Sequence, residues 1–114
     1  MLSLRPLPLV LVLTLAACAP KGPPADPASL KPADARLAAL YEGSCRACHA
    51  VAASGAPLVH DAATWAPRWK QGEAVLLDHV VQGFNGMPAG GQCAACSAED
   101  YKALTRFLAG KETS

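Results

Sequence analysis

One run of five residues, Cys45-Arg46-Ala47-Cys48-His49, limits this chain more than any other feature. Two thiols three positions apart lie on one side of a helical turn, and a histidine follows the second directly. C-x-x-C-H is the attachment pattern of a c-type haem. Cys45 and Cys48 would form thioethers to neighbouring vinyl groups of one porphyrin edge, and His49 would turn under the ring to give the iron an imidazole nitrogen. The same residues have two plainer readings, a thioredoxin-like redox dithiol or half of a zinc site. A dithiol of that kind asks for a βαβ setting. The neighbourhood here reads as helical, so haem is carried forward.

A chain of 114 residues holds one small domain. Its 52% hydrophobic content is largely alanine, with part of it in an N-terminal leader. About twenty large apolar side chains remain beyond position 20, a thin core for this length. A buried haem would make up the deficit with its flat apolar face. Ten basic residues less Arg5 of the leader leave nine, against nine acidic ones. That balance predicts no nucleic-acid partner, which needs a basic face, and docking to redox proteins through local patches.

Residues 1–17 carry Arg5, an apolar run from Leu7 to Leu15 and then small residues. This is the pattern of a secretory leader, too short to span a bilayer. Its end, Leu15-Ala16-Ala17-Cys18, resembles the lipobox of bacterial lipoproteins, in which the cysteine becomes a lipidated N-terminus. The plainer reading is ordinary cleavage that leaves Cys18 a free thiol. Lipidation is preferred because an odd cysteine is poorly kept in an oxidising compartment, and several acyl chains anchor firmly. Ala19 in the second mature position points to the outer membrane. Residues 18–32 then form a Pro/Ala-rich linker with almost nothing to bury, long enough to reach about 40 Å when extended. The domain is expected over 33–114.

Within the domain, Pro32 suits the first turn of a helix running into the haem motif. Leu37, Leu40 and Tyr41 share its apolar face, and Leu37 and Tyr41 are expected to meet the last helix. A carbonyl near Pro57 is a candidate acceptor for the second N–H of His49. Residues 62–71 read as a short helix capped by Thr64, with Pro67 in its first turn and Trp65 and Trp69 one turn apart. Both indoles are expected to pack on the porphyrin, and an indole N–H or Arg68 is a candidate partner for a haem propionate. Residues 73–82 form an amphipathic helix ended by Gly83. His79 is expected at its surface or satisfied, and His60 in a loop. Ser97, Glu99 and Asp100 open the final helix. Its apolar side is Tyr101, Leu104, Phe107 and Leu108, with Gly110 at its end.

Asn85-Gly86-Met87-Pro88-Ala89-Gly90-Gly91 holds the one methionine left once Met1 goes with the leader. A lone methionine is most often core filler. Here glycines let the backbone approach a ring and a proline holds the turn, so Met87 is expected as the second axial ligand. A His/Met pair raises the reduction potential relative to His/His. It also fills the sixth position, which leaves outer-sphere electron transfer. In Cys93-Ala94-Ala95-Cys96, Ser97 stands where a second haem site would need histidine, and zinc lacks two further ligands. A local disulfide tying the Met loop to the last helix is the economical reading. A catalytic dithiol is the alternative.

Taken together the residues resemble a class I cytochrome c, most of all cytochrome c5, over roughly residues 36–110. The resemblance rests on Cys45-x-x-Cys48-His49, Gly55-Ala56-Pro57, Trp65-Ala66-Pro67-Arg68, Gly83-Phe84-Asn85-Gly86-Met87-Pro88 and Gly90-Gly91-x-Cys93-x-x-Cys96. It implies an all-α fold of three to five helices around one covalently bound haem c, with the N- and C-terminal helices packed together. It also implies a Cys93–Cys96 disulfide and single-electron shuttling in the bacterial periplasm. Such a protein is no enzyme, and its partners are redox proteins such as membrane dehydrogenase or oxidase complexes. The competing functions are a haem-bearing subunit of a larger oxidase or dehydrogenase, a haem peroxidase, and a dithiol oxidoreductase.

Overall fold

The computed structural model describes Met1 and residues 22–112. The leader run and the lipobox cysteine Cys18 lie outside the described residues. Asp34 opens the first helix, α1 (Ala35–Gly43), by accepting the backbone N–H of Leu37 at 2.8 Å. The sequence suggested one helix from Pro32 into the haem motif; instead the chain breaks at Ser44 (φ −142°, ψ −78°). The Ser44 hydroxyl donates to the Leu40 carbonyl at 2.6 Å. A hydroxyl bonded to its own helix competes with the backbone ladder there. A single-turn helix, α2 (Arg46–His49), follows at a new angle.

Three further helices complete the described residues: α3 (Ala62–Trp69), α4 (Glu73–Gln82) and α5 (Ala98–Leu108). No strand occurs among them, only a two-residue bridge between Phe84 and Met87. The domain is all-α. The α3 cap is Asp61 and not Thr64: its carboxylate accepts the Thr64 N–H and hydroxyl. An ionised carboxylate outcompetes a hydroxyl for the first-turn donors. With the start moved back, Pro67 sits in the body of the helix. The bounds of α4 are those read from sequence, because glycines at 72 (φ +99°) and 83 (φ +87°) take conformations that other residues avoid.

The helix α5 begins with a capping box in which Ser97 and Asp100 bond each other's backbone N–H. Asp100 also takes both guanidinium nitrogens of Arg36 on α1, one at 2.9 Å. The start of α5 is thereby fixed to α1. Lower down, Phe107 meets Tyr41 edge-on, with centroids 5.0 Å apart. Tyr41 is fully buried, and Val59, Trp65, Leu104, Leu108 and Ala109 close the core around the pair. Arg106 pairs with Glu73 and so ties α5 to the start of α4.

The Pro/Ala-rich segment is not wholly free of the domain. Asp26 caps a 3-10 turn at Pro27–Ser29, and Arg46 donates to the Ala28 carbonyl at 3.0 Å. Leu30 packs against the core, and Pro32 is buried. The end of the expected linker of 18–32 therefore touches the domain, through Ala28, Leu30 and Pro32. Leu30 is the physical reason, one large apolar side chain in a stretch otherwise too small to bury anything.

Candidate haem site

The turn α2 carries the C-x-x-C-H residues. Cys45 stands half-buried at its start and Cys48 is exposed, both as free thiols. His49 closes the turn with 7% of its surface exposed. Beyond it, a 3-10 turn at Ala52–Ser54 and Gly55 (φ +77°) swing the chain back under the ring. Pro57 thereby brings its carbonyl oxygen to 2.7 Å from His49 Nδ1. A carbonyl only accepts, so Nδ1 bears the proton and Nε2 keeps its lone pair. Burial lowers the pKa of His49 and favours the neutral ring. The imidazole is thus oriented and held in the form that ligates a metal.

Trp65 backs this histidine, with rings 6.1 Å apart and 30° from parallel. Its indole N–H donates to the Leu58 carbonyl at 2.7 Å. That donor is therefore spent on the loop and does not serve a propionate. Trp69 packs against the core away from the cavity lining. Arg68 remains: it lines the cavity, gives Nη1 to the Thr64 carbonyl at 2.6 Å and keeps other donors.

Met87 is presented by a tight turn. Phe84 N–H donates to the Met87 carbonyl at 3.0 Å, and Met87 N–H returns to Phe84 at 2.9 Å, across Asn85 (φ +51°) and Gly86. Glycines then press close. A Cβ on Gly83 would stand 3.0 Å from the Met87 carbonyl oxygen, and one on Gly91 3.2 Å from the Met87 methyl. Cys93 and Cys96 beyond the loop are joined as a disulfide, with Cα atoms 5.4 Å apart.

One cavity of about 310 Å³ gathers these groups. Cys45, Cys48, His49 and Met87 all line it, among the apolar side chains of Trp65, Leu76, Val80 and Leu108. Its volume lies at the lower end of the range for cofactor sites, about 300–1,000 Å³. Two thiols, an imidazole with its lone pair presented, a thioether and largely apolar walls make a donor set that suits haem c. The cavity also takes in a residue to which the sequence reading gave no role at the site. His79 lines it, its ring parallel to that of Phe84 at 3.8 Å, while half of Phe84 faces solvent. Its place one turn beyond Leu76, the buried residue of α4, was the available signal. His60 is exposed, edge-on to Phe107.

Comparison with known proteins finds similarity to cytochromes. Residues 32–108 match the family described as "Cytochrome C oxidase, cbb3-type, subunit III". Cytochrome c-555 of Chlorobaculum tepidum is 44% identical over 77 residues, which are 64% of this chain and 71% of that protein. Cytochrome c5 of Azotobacter vinelandii is 40% identical over 68 residues, 58% of this chain and 82% of its own. A solved structure described as an electron transfer complex of nitrite reductase with cytochrome c aligns with a TM-score of 0.60 at 31% identity. The match covers 68% of this chain and 95% of the aligned one.

Proposed function

This chain belongs to the class I c-type cytochromes, near cytochrome c5, and from that premise we propose that it is a membrane-anchored, periplasmic one-electron carrier. It binds one haem c covalently, and its relatives are small electron carriers and not enzymes. In the proposal, Cys45 and Cys48 form the thioethers, His49 and Met87 are the axial ligands, and Cys18 is the lipidated residue. The observation that carries it is the common cavity, in which His49 Nδ1 is already committed to Pro57 and Met87 lines the same walls.

The cofactor supplies a one-electron couple when bound. The chain's residues fix how that couple behaves. His49 is oriented by Pro57, so it needs no rearrangement between oxidation states. A soft thioether favours the ferrous form and raises the potential. Held by both His49 and Met87, a bound haem would leave small molecules little access to its iron, which would separate a carrier from a peroxidase. Half-exposed Phe84, on the cavity wall, supports electron exchange with protein partners at that mouth.

The test is carbon monoxide binding to the reduced protein, with Met87→Ala beside it. Slow, weak binding that becomes rapid and stoichiometric in the variant is expected. Rapid binding by the unaltered protein sinks axial ligation by Met87. For the anchor, Cys18→Ser should release a soluble, redox-competent domain; a variant still held in the membrane fraction refutes it. One observation favours a second reading, a haem-bearing subunit of a larger oxidase: the matched family carries that description. Co-purification with a membrane oxidase would decide for it.

A further inference from the structure

The loop that carries Met87 lies against the end of α4, where a Cβ on Gly83 would stand 3.0 Å from the Ala89 backbone nitrogen, and it meets α5 as well. From Pro88 it runs through a left-handed turn in which Gly90, Gly91 and Gln92 all have positive φ (64°, 56° and 62°). Within the turn, Gly91 N–H bonds the Pro88 carbonyl at 3.0 Å and Cys93 N–H the Gly90 carbonyl at 2.9 Å. These bonds make the loop one unit without fastening it to a helix. The Cys93–Cys96 disulfide is equally local, since both ends precede Ser97, the cap of α5.

Tyr101 comes from the body of α5, whose Leu104, Phe107 and Leu108 are buried in the core. Its hydroxyl donates to the Cys93 carbonyl at 2.8 Å. The hydroxyl end of its ring abuts the turn, since a Cβ on Gly90 would stand 2.7 Å from the hydroxyl oxygen. On the next residue, Gly91, a Cβ would meet the Met87 methyl at 3.2 Å. Tyr101 is thus bonded to the turn at Cys93 and crowds Gly90, and the adjacent Gly91 leaves just the room that the thioether methyl occupies.

We propose that Tyr101 is a positioning residue for Met87, holding the sulfur at the iron through the glycine turn. The inference rests on the reading that Met87 is the axial ligand. Its physical content is a population: exogenous imidazole takes the ferric iron only in the fraction of molecules whose sulfur has swung away, so its apparent affinity scales with that fraction. Removing the hydroxyl leaves no orphan, because the Cys93 carbonyl still accepts Cys96 N–H at 3.1 Å. Tyr101→Phe therefore folds, and loosens only the loop.

The experiment is an imidazole titration of the ferric holoprotein, read by absorbance and paired with the far-red sulfur-to-iron charge-transfer band. Tyr101→Phe should bind imidazole about fivefold more tightly, the equivalent of one neutral hydrogen bond. Tyr101→Leu, which also uncovers Gly90, should bind it more tightly still. Phe107→Leu serves as the control, lowering global stability without touching the turn, and should keep the original affinity. Imidazole affinity unchanged in Tyr101→Phe, or raised equally by Phe107→Leu, overturns the inference. If the unaltered protein lacks the charge-transfer band, the ligation reading itself fails, and the two failures are told apart.

Discussion

Among the glycines around Met87, Gly91 is the one at which a side chain would take the space of the thioether. Gly91→Ala forces a left-handed conformation on alanine, which costs about 1 kcal/mol, and sets a Cβ 3.2 Å from the Met87 methyl. The sulfur is expected to move. A weakened charge-transfer band and a lower midpoint potential should follow in potentiometric titration; an unaltered potential would show that the contact yields elsewhere. Asp100 supports a pH prediction. Hydrogen bonds from the Arg36 guanidinium, chiefly, and from Ser97 hold its carboxyl well below the usual range. Its stabilisation is fully present above the unfolded carboxylate pKa of about 3.9 and is lost as pH falls below it. The Tm gap between Asp100→Asn and the unaltered protein should be largest near neutrality and close on acidification from about pH 5 towards 2. At this scale the sequence spoke clearly where chemistry demands a fixed spacing, as at Cys45, Cys48 and His49. It was ambiguous where two residues compete for one job, as Asp61 and Thr64 do for a cap. It was silent where a side chain's neighbours decide, as for the Trp65 indole, which bonds Leu58.

The pairing of α1 with α5 carries the core, and Phe107 is its centre, edge-on to both Tyr41 and His60. Phe107→Ala should lose about 3–5 kcal/mol of stability, measured by denaturant unfolding of the ferric protein. A loss under about 1 kcal/mol would mean that the cofactor, not the helix pair, holds the fold. The extent of α4 was legible because glycine marks both ends. The break after α1 was not, since it turns on which carbonyl the Ser44 hydroxyl chooses. The place of His79 beside the cavity was not legible for a related reason. A pattern of apolar residues shows that a helix has an inner face, but a histidine at its margin is assigned only once the facing loop is known, and Phe84 comes from that loop.

For the molecule as a whole, the walls of the haem cavity are as much a part of the core as Tyr41. Without the cofactor Leu76, Val80 and Leu108 would face an opening of about 310 Å³. A chain with Cys45→Ala and Cys48→Ala, made without haem, should show much weaker far-UV circular dichroism than the holoprotein, because a ligand that binds only the folded state stabilises it. Helical content equal to that of the holoprotein would contradict this. Architecture was readable from so short a chain because one motif brings a known bulky object into a small core. The docking of Leu30 was not readable, being a single contact in a segment with no periodicity. That contact alters the search for partners. If the domain is held at Cys18, as proposed, the chain between that residue and the 3-10 turn capped by Asp26 would span at most about 25 Å, against about 40 Å for a linker running to Pro32. Because the volume swept varies as the cube of the radius, the effective concentration of the haem protein near its anchor rises about fourfold.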